Sequence, residues 1–450
     1  MKVADFINTD FKAYVEYDNQ RKLPNIMDGQ MITRRKLLYA FIEDIGTKSI
    51  VVDKAGMRAA SVTMYRHGAT SMIGALIDMS KDYIGTNNLP LFKKEGQFGT
   101  RMSHKPSSER YISTRLSSVF NKLFDTDDNH ILEYQYDGGD RIEPLTYVPK
   151  LPLILINGAQ GTGNGYACNI LSYEINDIKQ SVEEVLETGL VQNKLTPYYE
   201  GYQGEISKNH VTGQVTFEGV FERKNATTII ITELPPSMQL EKYKSILNDL
   251  MESTKDKKGE VVAPLIKDYE NESTEDGWRF IIDCPRSTTA LTDDELMSAF
   301  KLIERDTETI AAWSPNGKKI LRPSSIEALI ETWVKLRLEF YEMRRLNKIS
   351  RYNIDLDWLN VKRQFIEWWN ANSTVLVVLK KSALLEEIKK NITDNDGYVN
   401  RLLSIQVRNL GSDEVGELVK EISKIESDRK KMENTTNKKM MSKEVADINF

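Results

Sequence analysis

Residues 31–45 read MITRRKLLYAFIEDI. Ile32, Leu37, Leu38, Phe41, Ile42 and Ile45 recur at helical spacing, and Gly46 stands where a helix C-cap belongs. The cluster Arg34-Arg35-Lys36 falls near the start, mostly off the apolar stripe. Moving outward, 70–83 carries Ile73, Leu76, Ile77 and Met79 behind the capping candidates Thr70 and Ser71, and 112–124 (ISTRLSSVFNKLF) reads as a third helix. Between the last two lies GTNNLPLFKKEGQFGTRMSHKPSSER, residues 85–110, a polar, basic and turn-rich stretch. Short helices around such a loop suit a winged-helix-like module.

The texture changes near residue 145. Leu151–Ile156 is a compact apolar run, strand-like, followed by the glycine cluster NGAQGTGNG at 157–165. Alternation over 211–233 and the run WRFIIDC at 278–284 predict strands, with helices at 174–187, 239–252 and 292–305. The α/β region ends near Pro323. Beyond it, Ile326, Leu329, Trp333, Leu336, Phe340 and Met343 step by threes and fours, as do Val415, Leu418, Ile422 and Ile425. No proline follows Pro323, in keeping with long helices. The expected fold class is multidomain α+β: a helical, winged-helix-type module at 1–145, an α/β module at 146–322, and an antiparallel coiled coil at 323–450 with a helical tip at about 355–411.

Length and charge agree with several modules. At roughly 150 residues per domain, 450 residues suggest about two to four units. The net charge is −5, yet residues 20–120 carry 16 basic and eight acidic residues, so that segment is +8 and the remainder −13. A basic module in an acidic chain marks either polyanion binding or a solvated mixed surface. Two isolated cysteines, Cys168 and Cys284, make neither a disulfide framework nor a zinc site, and a reducing compartment fits. No apolar run reaches the roughly 20 residues of a membrane span, and the N-terminus lacks a signal core.

Most catalytic motifs are missing. There is no GxxxxGK[ST], no HExxH, no CxxC, no GxSxG, and only four histidines. Asp125, Asp127 and Asp128 could hold a divalent cation or simply form an acidic loop. The basic module holds Tyr65-Arg66-His67-Gly68 just before an expected helix N-terminus, where free N–H groups favour an anion, and Glu109-Arg110-Tyr111 beside the polar loop. Arg, His and a tyrosine hydroxyl can together transfer a phosphoryl group to tyrosine. A phenol with a reference pKa near 10 needs a cation or base beside it to act as a nucleophile at neutral pH. With 19 tyrosines in the chain, residue type alone does not single out Tyr111.

Ordered blocks do. Arg21-Lys22-Leu23-Pro24-Asn25-Ile26-Met27-Asp28-Gly29-Gln30 with Arg34-Arg35-Lys36-Leu37-Leu38-Tyr39, then Tyr65-Arg66-His67-Gly68, Glu95-Gly96-Gln97-Phe98-Gly99-Thr100-Arg101, and Arg110-Tyr111-Ile112 occur in sequence. They resemble, in the family's own order, the DNA breakage-reunion region of type IIA DNA topoisomerases. Pro149-Lys150-Leu151-Pro152 through Gly165, Ile231-Thr232-Glu233-Leu234-Pro235 and the tail 402–437 extend the resemblance over most of the chain. The organisation resembles the medium subunit of T4-like bacteriophage topoisomerase. The chain departs from the family pattern at Gln30 and Met31 (usually Lys and Pro), at Ala69 (an acid in the bacterial element) and at Thr162, where the family often has an isoleucine wedge.

The resemblance implies an enzyme that cuts and rejoins double-stranded DNA, with Tyr111 as the nucleophile and Arg110, His67 and Arg21 on the phosphate. It further implies DNA contacts from Arg34, Arg35, Lys36, Arg66, Lys93, Lys94, Arg101 and Thr162. Mg²⁺ and ATP would be bound by a partner subunit carrying the ATPase and Toprim (acidic metal-binding) modules, with no metal held in this chain. The module at 146–322 would be the tower domain and the tip at 355–411 the C-gate of a homodimer, working on DNA in the cytoplasm, in a bacterial host if phage-encoded. A tyrosine recombinase would place its tyrosine near the chain's end, after the Arg and His residues. A non-catalytic DNA clamp would not need Arg110, Tyr111 and His67 together.

Overall fold

A computed structural model describes residues 3–255, 261–275, 277–406 and 410–450. The chain divides into two compact units. The first holds Met1–Asp125, Leu132–Arg337 and Glu444–Phe450, and the second Thr126–Ile131 and Leu338–Lys443. The expected boundary at 145/146 lies inside the first unit. Among the described residues no helix is long and apolar enough to cross a membrane.

The first unit opens with a helix over Lys12–Lys22, followed by helices Ile32–Ala40, Val52–Val62 and Ala69–Ser80. The last three pack through Leu37, Leu38, Val52, Ala55, Ala59, Met72 and Leu76, all fully buried. The stripe read at 31–45 forms as expected. Its last turn, Phe41–Ile45, widens to a π-helix and stops at Gly46, whose φ of 77° suits glycine. Arg35 and Lys36 are the exception, because their side of the helix is covered too.

Residues 112–124 are not one helix. Ser113–Leu116 is the central strand of a three-stranded antiparallel sheet, between Ile50–Val51 and Phe92–Glu95, and the helix begins only at Ser118, capped by the Ser117 hydroxyl. The pairing buries Thr114 completely. Leu151–Ile156 differs as well. It contains a buried helical turn, Leu153–Ile156, starting at Pro152, and a short apolar run does not distinguish strand from buried helix. The glycine cluster becomes a hairpin, Ala159–Thr162 with Ala167–Ile170.

The strands expected over 211–233 and 278–284 form. Val220–Asn225, Thr228–Glu233, Phe280–Asp283 and Asp268–Asn271 make a four-stranded sheet in that order. Ile229, Ile231, Phe280 and Ile282 bury one face beneath Tyr243 and Leu247 of helix Leu240–Met251. The expected helix at 292–305 ends at Ala299, and Ile303–Thr307 pairs instead with Gln214–Glu218.

Helix Ile326–Leu376 is continuous for 51 residues and passes from the first unit into the second. Within the second unit the return helix Ser412–Asn434 runs antiparallel to it: Lys362 pairs with Glu414 at 2.6 Å, and Arg429 donates to Asn353 at 2.9 Å. Leu356, Leu359, Phe365, Ile366, Leu418 and Ile422 form the seam, with the short helices Lys381–Asn391 and Asp396–Leu403 closing the end. Residues 407–409 of the expected tip lie outside the described residues.

Candidate active site

The Tyr111 site is built on backbone. The Val52 amide donates to Ile112 O at 3.0 Å, the Asp53 amide to Glu109 O at 3.3 Å, and the Tyr111 amide to Ser108 O at 2.9 Å. Ile112 is 1% exposed and sits against Gly96, where an added Cβ would lie 2.9 Å from Ile112 Cγ2 at a φ of 106°. The loop thus holds Tyr111 firmly at its backbone while the side chain stays 76% exposed. The Arg110 guanidinium lies 5.6 Å from the Tyr111 ring centroid and makes no hydrogen bond or ion pair among the described residues. A cation stacked beside a phenol, with neither side chain hydrogen-bonded among the described residues, suits an incoming phosphodiester.

A second cluster gathers around His67. The Tyr17 hydroxyl lies 2.5 Å from His67 Nε2, and the two rings are 5.8 Å apart. Tyr65 meets the imidazole edge-on at 5.4 Å, its hydroxyl 3.2 Å from Thr33 Oγ1. Arg21, one turn beyond Tyr17 on the same helix, places its guanidinium 5.9 Å from the Tyr17 ring, and its Nε is buried with no partner among the described residues. Partial desolvation, reinforced by the Arg21 charge, holds the His67 imidazole below its ordinary pKa and favours the neutral ring. Tyr17 is the residue that sequence reasoning missed. Its one signal is the four-residue spacing from Arg21.

The four expected catalytic residues therefore form two pairs. The Tyr111 loop joins the N-terminal end of helix Val52–Val62, and the loop carrying His67 leaves its C-terminal end. Helix Ala69–Ser80 runs back antiparallel, with Gly56 against Ile73 and Ser80 near Thr114. Helices of 11 and 12 residues, at about 1.5 Å per residue, put roughly 15 Å between the two pairs. Arg110 and Tyr111 make no hydrogen bond, ion pair or ring contact with His67 or Arg21.

Of the expected DNA-contact residues, three are withdrawn. Arg35 is 4% exposed; its Nε donates to Asp28 Oδ2 at 2.8 Å and Nη2 to Gln30 O at 3.0 Å. Lys36 donates to Glu143 at 2.8 Å and to Thr63 O at 2.7 Å, both partners buried. Arg101 pairs with Glu233, donates to Leu234 O at 2.6 Å, and lies between the rings of Tyr202 and Trp278. All three cations neutralise or cap internal groups, so they hold the fold rather than DNA. Lys94 pairs with Asp82, and Arg66 makes two 2.9 Å bonds to Asp137 on the surface.

The other three are available. Lys93 is exposed on the edge strand Phe92–Glu95. Arg34 makes no hydrogen bond or ion pair among the described residues and lines a cavity of about 600 Å³ with Asp78, Lys81 and His104; desolvation lowers its pKa against the opposing pull of Asp78. Thr162 is exposed at the turn of its hairpin. That hairpin is locked to the helix bearing Arg21: the Asn164 amide donates to Asn19 Oδ1 at 2.6 Å, and Asn164 Nδ2 to Asp18 at 2.8 Å. Gly161 is required there, because a Cβ would stand 1.8 Å from Lys22 O. The helix end is itself tied down by Trp313 Nε1, which donates to Asn19 O at 3.0 Å.

No group of three His, Cys, Asp or Glu residues that could hold a metal occurs among the described residues. The acids near 125–128 are engaged in ion pairs: Asp125 with Lys150, and in the second unit Asp127 with Lys348 and Asp128 with Arg344. Both cysteines are buried and free, their thiols pushed up to about 11 by desolvation, which makes them poor nucleophiles.

A pinned, exposed tyrosine stands beside an arginine that makes no hydrogen bond or ion pair among the described residues, on a helix-and-sheet module followed in the chain by a long helical hairpin. The solved structure of the Plasmodium falciparum topoisomerase II DNA-binding, cleavage and re-ligation domain matches with a TM-score of 0.86 and 28% identity, over 98% of this chain and 63% of that one. DNA topoisomerase 2 of Arabidopsis thaliana is 32% identical over 86% of this chain and 26% of its own length. The mitochondrial DNA topoisomerase 2 of Dictyostelium discoideum is 28% identical over 99% and 35%. Residues 21–448 match the model of the family formed by the A-type subunits of DNA gyrase/topoisomerase IV, and the chain belongs to that family. It spans about a quarter to a third of the length of these full-length relatives.

Proposed function

We propose that this chain is the DNA-cleaving and rejoining part of an ATP-dependent type IIA DNA topoisomerase, passing one duplex through a transient double-strand break in another. The observation that carries the reading is Tyr111, exposed on a fixed loop beside the unpaired Arg110 guanidinium. Tyr111 Oη attacks the phosphorus of a DNA backbone phosphodiester and loses its proton to solvent. The P–O3′ bond breaks, the 3′ oxygen takes up a proton, and a 5′-phosphotyrosine ester remains. Arg110 offsets charge on the non-bridging oxygens as the pentacovalent state forms. Resealing is the same exchange reversed, and the ester conserves the bond, so rejoining needs no ATP.

Two copies make the double-strand break. Roughly 15 Å of helical rise separates the backbones of the two pairs, and their side chains make no hydrogen bond, ion pair or ring contact with one another. We therefore assign Arg21 and His67 of one chain to the phosphate attacked by Tyr111 of its partner. Residues 1–145 serve as a winged-helix domain, 146–322 as a tower domain flanking the DNA, and 323–450 as a coiled coil whose tip, about 355–411, is a C-gate dimer contact. Arg34, Lys93 and Thr162 contact the duplex, and Arg66 does so by exchanging Asp137 for phosphate. Among the described residues of this chain no group of acids, histidines or cysteines fits a Mg²⁺ site. Mg²⁺ and ATP are assigned to a partner large subunit with ATPase and Toprim modules, and a bacteriophage origin fits this division.

The test is covalent trapping. The chain, an ATPase/Toprim partner, Mg²⁺ and end-labelled plasmid are mixed and denatured with detergent. Linear DNA with protein on its 5′ ends is expected. A 3′-linked product, or DNA binding with no covalent product in the presence of a competent partner, overturns the proposal.

A further inference from the structure

Tyr17 touches both members of the second cluster. Its hydroxyl is 2.5 Å from His67 Nε2, its ring is 5.8 Å from the imidazole, and the Arg21 guanidinium is 5.9 Å from that ring. Tyr65 holds the other side of the imidazole at 5.4 Å and is itself fixed through Thr33. The imidazole is thus held between two rings, and Nδ1 makes no hydrogen bond among the described residues. We propose that Tyr17 is a positioning residue for His67: its hydroxyl donates to Nε2 and thereby leaves Nδ1–H as the donor that His67 presents to a DNA phosphate.

Donor strength sets the direction of the Tyr17–His67 bond. A phenol is a better proton donor than a neutral imidazole N–H, and an imidazole lone pair is a better acceptor than a phenolic oxygen. In a neutral ring one nitrogen donates and the other accepts, so fixing Nε2 as the acceptor fixes the tautomer. Without Tyr17, both tautomers are open, and only part of the population offers a proton from Nδ1. The Tyr17 ring under Arg21 adds a second effect: it keeps that guanidinium, whose buried Nε lacks a partner among the described residues, facing the same place. One aromatic side chain on helix Lys12–Lys22 therefore aims a cation and a neutral hydrogen-bond donor together.

The consequence for catalysis rests on the reading of His67 as a phosphate contact, so the test has two separate arms. With only four histidines in the chain, selective ¹⁵N-histidine labelling resolves each imidazole by NMR. In the wild-type chain His67 is expected as a single Nδ1–H tautomer. In Tyr17→Phe, which keeps the ring contacts, both His67 nitrogens should move to averaged shifts while those of His104, His130 and His210 stay in place. Unchanged His67 nitrogens in Tyr17→Phe, or a wild-type Nε2–H tautomer, overturn the proposal.

The second arm measures single-turnover DNA cleavage by the assembled enzyme. Tyr17→Phe should slow cleavage roughly tenfold, the worth of one hydrogen bond, and should have no further effect in a His67→Ala background. An equal loss with and without His67 refutes a route through His67 and overturns the proposal. If His67→Ala cleaves like wild type while the NMR shifts behave as expected, the positioning contact stands and the assignment of His67 to the phosphate fails instead.

Discussion

Arg34 and Arg35 are neighbours in sequence with opposite roles, and that contrast can be measured. Arg35 is closed in: its side chain is 5% exposed and its partner Asp28 is fully buried. Asp28 also accepts from the amides of Gln30 at 2.8 Å and Tyr147 at 2.9 Å, so it joins the Leu23–Gln30 segment to the 140s. Arg35→Ala leaves the Asp28 carboxylate buried without its cation. Breaking one side of a buried pair costs about 3–5 kcal/mol. At roughly 2–4 °C per kcal/mol for a large domain, melting should fall by about 6–20 °C. Arg34 makes no hydrogen bond or ion pair among the described residues and feels only the pull of Asp78, so Arg34→Ala should leave the melting temperature within roughly 2 °C and weaken DNA binding, most strongly at low salt. Thermal melts of both variants, with DNA affinity at two salt concentrations, decide the matter. If Arg35→Ala melts like wild type and loses DNA affinity as Arg34→Ala does, Arg35 faces DNA and the buried pair is wrong.

Three more perturbations test other contacts. Gly161→Ala forces a methyl to within 1.8 Å of Lys22 O, so the hairpin must move off the Arg21 helix; cleavage should drop more than stability, which should fall by about 1–3 kcal/mol. In the second unit, hydrogen bonds from Arg345 and Asn437 hold the Glu342 carboxyl down at about 2. Its folded value lies below its unfolded one, so its contribution is present above about pH 4.5 and is lost as pH falls toward 2; Glu342→Gln should flatten the acid limb of a stability-versus-pH curve there. Mixed dimers of Tyr111→Phe with His67→Ala should keep one working site and nick one strand, whereas a site built within one chain would leave such dimers inert.

Much of the fold was legible because its helices carry a strong period. The 31–45 and 70–83 stripes fold as read, and Gly46 caps as its position suggested. The helix beyond Pro323 forms too, but past Trp333 it buries Val334, Arg337 and Tyr341 while Met343 stays 47% exposed, and Leu418 and Ile422 meet Leu356, Leu359, Phe365 and Ile366 instead of the expected stripe. Ser113–Leu116 was not legible: Ile112 and Leu116 also fit a helical stripe, and the strands that claim it, Ile50–Val51 and Phe92–Glu95, lie elsewhere in the chain. Leu151–Ile156 is apolar throughout, so periodicity offers no choice between strand and buried turn. The motif blocks single out Tyr111, Arg110, His67 and Arg21 as candidates, but not their separation into two pairs, which depends on the length and antiparallel packing of two helices. Arg35, Lys36 and Arg101 read as surface cations because their acids, Asp28, Glu143 and Glu233, come from other elements. Tyr17 was hidden for the same reason: His67, which gives it meaning, is 50 residues away.

Of the 19 tyrosines in the chain, Tyr111 is the one proposed to carry the DNA. Trapped covalent complex can be digested with nuclease and protease, and the peptide bearing the residual nucleotide identified by tandem mass spectrometry. The nucleotide should be esterified to Tyr111 through its 5′ phosphate, and the adduct should vanish in Tyr111→Phe. A nucleotide on Tyr17 or Tyr65, which stand beside His67, or an undiminished adduct in Tyr111→Phe, would contradict the account.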